Sequence, residues 1–517
     1  MIINIYGAKC IGIKAMPVTI EVDISSGIGI HLVGLADIAV KESLLRTMTA
    51  LQSLGFKIPG RKIVINLAPA DMHKSGSGYD LPIALGIIAA SGQSELPGLG
   101  KYIIMGELGL DGSVRDVPGA LPFVELAMNQ GLCGCILPTT SAMEAVEYTQ
   151  STIFGADSLP EVLKILEEKE DCSDMLIWNK PASLRLKEET VKSGNDYMDF
   201  SEIIGQEGAK RGLEIAAAGG HNVVMVGPPG SGKSSLAKAL SGILPPMSVD
   251  ESILTSKIYS VAGRGGNRYG LVRQRPFRAP HYSASVAAIV GGGNGDSIIP
   301  GEVSLAQNGI LFLDEFCELT KSVAEALRGP LEDRKVIISR LRSKVEYPSS
   351  FMLVAATNPC PCGYYGEGDR CVCTPGQRAS YIAKLSGPIM DRIDIHLWLH
   401  SVDPHKLVRN VKSETSAQVA SRVLAAREIQ KIRFKGEGIY TNAEMNNRMT
   451  KKYCPLSEDC LELLTKIITN GKLSARAYAR IVKLSRTIAD LAGSEDIQPK
   501  HITEAAGLRF LDKANLI

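Results

Sequence analysis

The segment Gly227-Pro228-Pro229-Gly230-Ser231-Gly232-Lys233-Ser234, with Ser235 behind it, combines flexible backbone, one cation and hydroxyl groups. Glycines let successive N–H groups curl toward a shared point, and a helix starting at Lys233 turns its positive end to the same place. That chemistry suits a polyphosphate. Lys233 reaches the β- and γ-phosphates and the Ser234 hydroxyl helps ligate Mg²⁺, so ATP is the expected ligand. A second apolar run, Ile310-Leu311-Phe312-Leu313, ends in Asp314-Glu315. Asp314 is placed to hold Mg²⁺ directly or through water, and Glu315 to polarise an attacking water. A third run, Phe351 to Thr357, ends in Asn358, whose amide can orient that water or touch the γ-phosphate; the other reading of Asn358 is a turn cap before Pro359. Gly387 to Asp394 contains Asp391-Arg392 and leads into a further strand, Ile395 to Leu399. A guanidinium there could complete a neighbouring subunit's site, or form a surface ion pair of under about 1 kcal/mol.

Two other groups of residues carry chemistry. Arg264, Arg268, Arg273, Arg275 and Arg278 are interleaved with Tyr269, Phe277 and His281 among glycines. Arginine beside aromatic rings on a loop suits a nucleic-acid backbone and exposed bases. Residues 334–344 alternate like a hairpin arm, with Lys335 on the arm and Arg340 and Arg342 near its tip. DNA is the expected partner of both. A solvated face or subunit–subunit ion pairs are the other reading. Cys360-Pro361-Cys362 and Cys371-Val372-Cys373 form two thiol pairs that could enclose tetrahedral Zn²⁺, although the one-residue spacing is tighter than the usual knuckle. Reduced structural cysteines are the alternative. Cys133-Gly134-Cys135 has the same spacing without a second pair and reads as core.

These groups need strands and helices to position them. The apolar run Val223 to Val226 feeds the glycine-rich segment as a buried strand, and Leu236 to Leu240 continues it as a helix. Residues 1–165 alternate β-rich segments (Val18–Val22, Ile63–Leu67, Tyr102–Met105) with helical ones (Lys41–Leu54, Leu81–Ser91, Ala120–Asn129). Residues 166–199 read as a charged linker, 200–400 as an α/β core around the phosphate loop, and 401–517 as a helical lid with helices at Ser416–Lys431, Leu473–Ala492 and Ile502–Leu511. A chain of 517 residues is too long for one ordinary core. A hydrophobic content of 45% with 22% charged residues is that of a globular protein, and a net charge of +2 confines nucleic-acid contact to local patches. No apolar run approaches the roughly 20 residues that span a bilayer, and no signal pattern opens the chain, so the cytoplasm is the expected compartment. Eleven scattered cysteines suit reduced thiols or metal ligands better than disulfides.

The phosphate loop, the Asp314-Glu315 strand end, Asn358, Asp391-Arg392 and Ser474-Ala475-Arg476 together resemble the five signatures of an AAA+ ATPase. They match the magnesium-chelatase-like branch and, within it, the YifB/ComM family. The likeness extends to Phe277-Arg278-Ala279-Pro280-His281 and to Gly301 through Ala306. It implies an AAA+ core with a helical lid and an N-terminal Lon protease-like α+β domain, assembled as a ring, expected to be hexameric. By the resemblance Asn358 is sensor 1, Arg392 the arginine finger acting in trans, Arg476 sensor 2, and Phe200 to Gln206, with Ile204, the adenine-side box. In the Lon-like region Gly78 stands where the nucleophilic serine is expected and Pro122 where the lysine is, so no peptide cleavage is expected; Lys74 with Ser75 or Ser77 is the remaining pairing. The implied function is a DNA motor, a helicase or branch-migration factor in recombination or natural transformation. The alternative is a chelatase- or chaperone-like ATPase that remodels a protein partner.

Overall fold

The computed structural model describes residues 2–35, 37–180, 198–265, 269–293, 298–339, 344–385, 387–401 and 413–512. Arg268, Arg340, Arg342 and residues 181–197 of the expected linker lie outside them. Two sheets organise the chain. The N-terminal one has seven strands, ordered Ile30–Val33, Lys62–Ala68, Lys14–Ser25, Ile3–Ile11, Tyr102–Ile104, Gly134–Pro138 and Thr152–Ala156. Its long hairpin, Ile3–Ile11 against Lys14–Ser25, pairs Ile5 with Ile20 and turns at Gly12, where φ is +62°. Alternate residues Val18, Ile20 and Val22 are buried, as the two-residue period of a half-covered strand requires. Helix Asp80–Ala90 packs across them; Gly86 permits this, since a Cβ there would meet Val22 at 2.5 Å.

The central sheet is wholly parallel, ordered Phe277–Arg278, Ile310–Leu313, Met352–Thr357, Val223–Val226 and Ile395–Trp398. Every residue of Val223–Val226 is buried, because both faces are covered: Val223 and Met225 pack on the side of the C-terminal helices, Val224 and Val226 on the other. The register Val226↔Thr357 and Val226↔Trp398 brings the carboxyl ends of three strands level. Ligands of open α/β sheets bind at that edge.

The C-terminal part is helical. Ser416–Arg433 opens with a Thr415/Gln418 capping box, and Ala475–Leu491 starts where the Ser474 hydroxyl accepts the Ala477 N–H, two residues later than the periodicity suggested. Helix Pro499–Gly507 completes the group. Two expectations are corrected. Part of the expected linker is packed structure, with Ile177 fully buried and Leu176 bridged to Phe154. Cys135 is core, but Cys133 is exposed and precedes the strand.

The two sheets are joined through helix Val249–Val261, which lies against Ala120–Asn129. The Gly119 N–H donates to the Ser260 carbonyl at 3.0 Å, and Lys257 pairs with Glu125 at 2.7 Å. Among the described residues no helix is long and apolar enough to cross a membrane.

Candidate nucleotide site and its opposite edge

The phosphate strand ends at Val226 and the chain bends through Gly230 (φ +77°) and Gly232 (φ +90°) before helix Lys233–Ser241 begins. A side chain at Gly227 would sit 2.8 Å from Leu399 and 2.9 Å from the Ser231 hydroxyl, so the close approach of loop and sheet requires glycine there. The Lys233 ammonium donates to the carbonyls of Gly227 (2.7 Å) and Pro228 (2.9 Å) and to Asn358 Oδ1 (3.3 Å). Burial lowers its pKa against the pull of Asp314. Anionic phosphate oxygens are stronger acceptors than these neutral ones. The Ser234 hydroxyl donates to Asp314 Oδ2 at 3.0 Å, so a hydroxyl and a carboxylate, the oxygen ligands that Mg²⁺ prefers, lie side by side. Glu315 follows in the left-handed region (φ +50°), exposed at the strand end, with its N–H donating to Asp314 Oδ1 at 2.8 Å. Lys233, Ser234, Asp314, Glu315 and Asn358 are therefore brought to one edge. Pro228, Ser231 and Ser235 lie on the same loop and first helical turn.

Ile204 is half-buried in the preceding loop. The neighbouring Gln206 makes the link to the phosphate loop: its amide donates to the carbonyls of Ser231 (3.2 Å) and His400 (2.7 Å) from a left-handed backbone (φ +60°). Its place in the adenine-side box was the only sequence signal for that role.

Arg392 and Arg476 are not at this edge. They line a cavity of about 390 Å³ with Glu332, Asp391, Arg480 and Lys483, at the amino ends of the strands. Arg392 pairs with Glu332 and Arg476 with Asp391. Asn222, just before the phosphate strand, fixes this edge by donating to the Arg392 carbonyl at 2.9 Å and accepting the Leu353 N–H at 2.8 Å. Four strand residues, about 13 Å of chain, separate it from the phosphate loop. Behind it the buried Asp394 meets Arg480 at 2.7 Å and His221 Nδ1 at 3.0 Å, and His221 Nε2 meets the Thr487 hydroxyl at 2.8 Å. Burial pushes the Asp394 carboxyl up, but Arg480, His221 and Lys483 outweigh it and hold the group below the usual carboxylate range. Nothing in the local sequence announced this network.

The basic insert is largely engaged within the chain. Arg275 donates to the Pro245 carbonyl (2.6 Å) and the Asn308 carbonyl (2.7 Å), and grips both Glu251 oxygens at 3.0 Å. Arg278 holds Glu302 at 2.6 and 2.8 Å, while Arg273 pairs with Glu147 of the N-terminal part. Arg275 is thus the pin of the insert rather than an outward contact, and Arg273 helps join the two sheets. The expected hairpin forms from Lys335–Ser339 and Lys344–Pro348, with the half-buried Lys335 and the exposed Glu346 3.2 Å apart.

The four cysteines converge. Sγ separations are 3.3 Å for Cys360–Cys362, 3.8 Å for Cys360–Cys371 and 3.7 Å for Cys362–Cys371, and all four sulfurs lie within 4.8 Å of one another. In the N-terminal part, the buried Lys74 ammonium donates to the Pro69 carbonyl and the Ser77 hydroxyl to Glu107, so these two do not form a dyad. A Cβ on Gly78 would face Met105 and Val117 at 3.0 and 3.2 Å, an apolar wall.

Three family models match: magnesium chelatase subunit ChlI over residues 199–407, subunit ChlI of Mg-chelatase over 20–141, and the ChlI C-terminal model over 413–509. The chain is 42% identical over 513 residues to a protein named YifB from Salmonella typhimurium, covering 98% of this chain and 97% of that one. It is also 42% identical to the competence protein ComM of Haemophilus influenzae, with the same shares covered. A DNA replication licensing factor, mcm6 of Dictyostelium discoideum, is 23% identical over 67% of this chain and 39% of its own.

Proposed function

The chain belongs to the YifB/ComM family of magnesium-chelatase-like AAA+ ATPases, and from that premise we propose that it is a ring-forming motor that couples ATP hydrolysis to movement on DNA. One observation carries the ring: each protomer presents the phosphate-binding group at one edge of its sheet and Arg392 with Arg476 at the other. Such a surface pairs head to tail, and a head-to-tail contact that closes is a ring. Six subunits and an N-terminal Lon-like fold without proteolytic chemistry belong to the same reading.

ATP lies along the loop 227–234, with Lys233 on its β- and γ-phosphates. Ser234 and Asp314 hold Mg²⁺, which supplies charge neutralisation on the phosphates. Glu315 polarises the attacking water and Asn358 orients it. Arg392 of the adjoining subunit exchanges Glu332 for the γ-phosphate, with Arg476 beside it, both acting in trans. An arginine in this role contributes roughly 10³ to 10⁵ in rate, about 4 to 7 kcal/mol of barrier.

DNA is supported by the names competence protein and DNA replication licensing factor among the relatives, and by the basic hairpin. Recombination during natural transformation is the matching process. Arg275 and Arg278, held inside the chain by Glu251 and Glu302, favour a second reading, remodelling of a protein partner, because these two are withdrawn from DNA contact. Strand displacement on a forked duplex separates the two. The motor reading expects ATP-dependent displacement and salt-sensitive binding, both reduced by Arg340→Glu with Arg342→Glu while basal ATPase persists. Salt-insensitive binding without displacement selects the protein partner.

A further inference from the structure

The loop that follows Asn358 has almost no core of its own. From Pro361 to Thr374 only Gly363 is buried, and Val372, between two of the cysteines, is 84% exposed. Yet it is sharply folded, with left-handed Gly363, Gly366 and Gly368, and its four sulfurs meet inside it. A tetrahedral zinc–thiolate site, with Zn–S near 2.3 Å, has S···S edges of about 3.8 Å. The Cys360–Cys371 and Cys362–Cys371 separations of 3.8 and 3.7 Å match that edge. The turns permit the tight one-residue spacing: the Gly363 N–H closes on the Cys360 carbonyl at 2.9 Å, returning Cys362 to Cys360.

The same loop forms a wall of the nucleotide pocket. A Cβ on Gly363 would stand 2.9 Å from the Pro229 ring of the phosphate loop and 3.8 Å from the Asn358 side chain. Gly366 lies against Trp398 of the adjoining strand, Tyr365 meets that indole edge-on at 6.3 Å, and Glu367 accepts the Ser401 N–H at 2.9 Å. Cys360 is two residues from Asn358 and buried.

We propose that Cys360, Cys362, Cys371 and Cys373 bind one zinc ion, which braces the loop against Pro229 and so positions Asn358 for hydrolysis. The bracing rests on the ATPase reading; the metal site does not.

Elemental analysis of the full-length protein, purified reducing and dialysed without metal, is expected to return one zinc per chain. Cys371→Ser with Cys373→Ser should lose it, while Cys373→His, which keeps a ligand of the right class, and Cys133→Ser should retain it. Should the double variant fold poorly, zinc can be withdrawn from the wild type with an organomercurial and a chromogenic chelator, then restored with thiol and zinc salt. Withdrawal should shift Trp398 emission and lower ATP turnover ~10-fold, the scale of lost second-shell support, and restoration should reverse both. A metal-free wild type with four freely titrating thiols, or equal zinc in the double variant, overturns the site. Zinc that leaves without changing turnover overturns the bracing role. One zinc per chain in a protein without ATPase activity upholds the site and refutes the functional reading instead.

Discussion

Glu315 stands at a position where function and backbone strain meet. It is exposed at the end of the strand Ile310–Leu313 and its φ is +50°. The left-handed region costs an L-residue about 1–2 kcal/mol. Glycine avoids that cost but loses roughly 0.5–1 kcal/mol through its freer unfolded chain. Glu315→Gly should therefore be more stable than Glu315→Ala by about 0.5–1 kcal/mol, or ~1–4 °C in midpoint. Both should fail to turn over ATP. Glu315→Gln keeps shape and removes the base, and its turnover should fall about 10²- to 10⁴-fold, a barrier of roughly 3–5 kcal/mol. ATP affinity should be unchanged, because the cradle is built from residues 227–234 and Asp314. Steady-state phosphate release, equilibrium binding of a fluorescent ATP analogue and thermal unfolding measure the three quantities. Wild-type turnover by Glu315→Gln would refute the role of this carboxylate, and equal stability of the Ala and Gly variants would refute the strain argument.

Arg275→Ala removes a guanidinium that satisfies three carbonyls, those of Pro245, Pro246 and Asn308, and Glu251, so it should destabilise by about 2–4 kcal/mol and leave the salt slope of DNA binding unchanged; denaturant unfolding and salt titration check the two halves. The buried His221 has its pKa lowered by burial despite Asp394, and His396 is lowered further by burial and Arg509. The unfolded imidazoles take up protons near pH 6.5 and the folded ones only at lower pH. Stability is accordingly full above about pH 6.5 and declines as pH falls through the folded values. Urea midpoints from pH 8 to 5 should show that decline, and His221→Gln should lower the midpoint at pH 8 but flatten the slope.

The parts of the site that were legible in the sequence are those where a short apolar run ends in a reactive residue. Val223–Val226, Ile310–Leu313 and Met352–Thr357 are buried on both faces, so their composition alone marks them, and the residues at their carboxyl ends fall together by sheet register. Pairing between distant segments was not legible. Arg275, Arg278 and Arg273 look alike in sequence, but Glu251, Glu302 and Glu147 determine what each does, and no local pattern names those partners. Helix Val249–Val261 was missed for a different reason. It buries Ser252, Ser256 and Ser260 along one face, with Ser256 bonded to the Ser252 carbonyl and the Val272 N–H, so it packs without an apolar stripe. The placement of Arg476 beside Arg392 is likewise set by how Ala475–Leu491 docks, which periodicity does not encode.

Mixing two inactive proteins reveals whether one protomer's Arg392 completes its neighbour's pocket. Lys233→Ala keeps the arginine and Arg392→Ala keeps the phosphate loop, so in randomly mixed rings about one quarter of the interfaces carry both. ATP turnover should rise from near zero in either protein alone to roughly that fraction of wild type on mixing. No recovery, together with a wild type fully active as a monomer, would rule out a pocket shared between protomers.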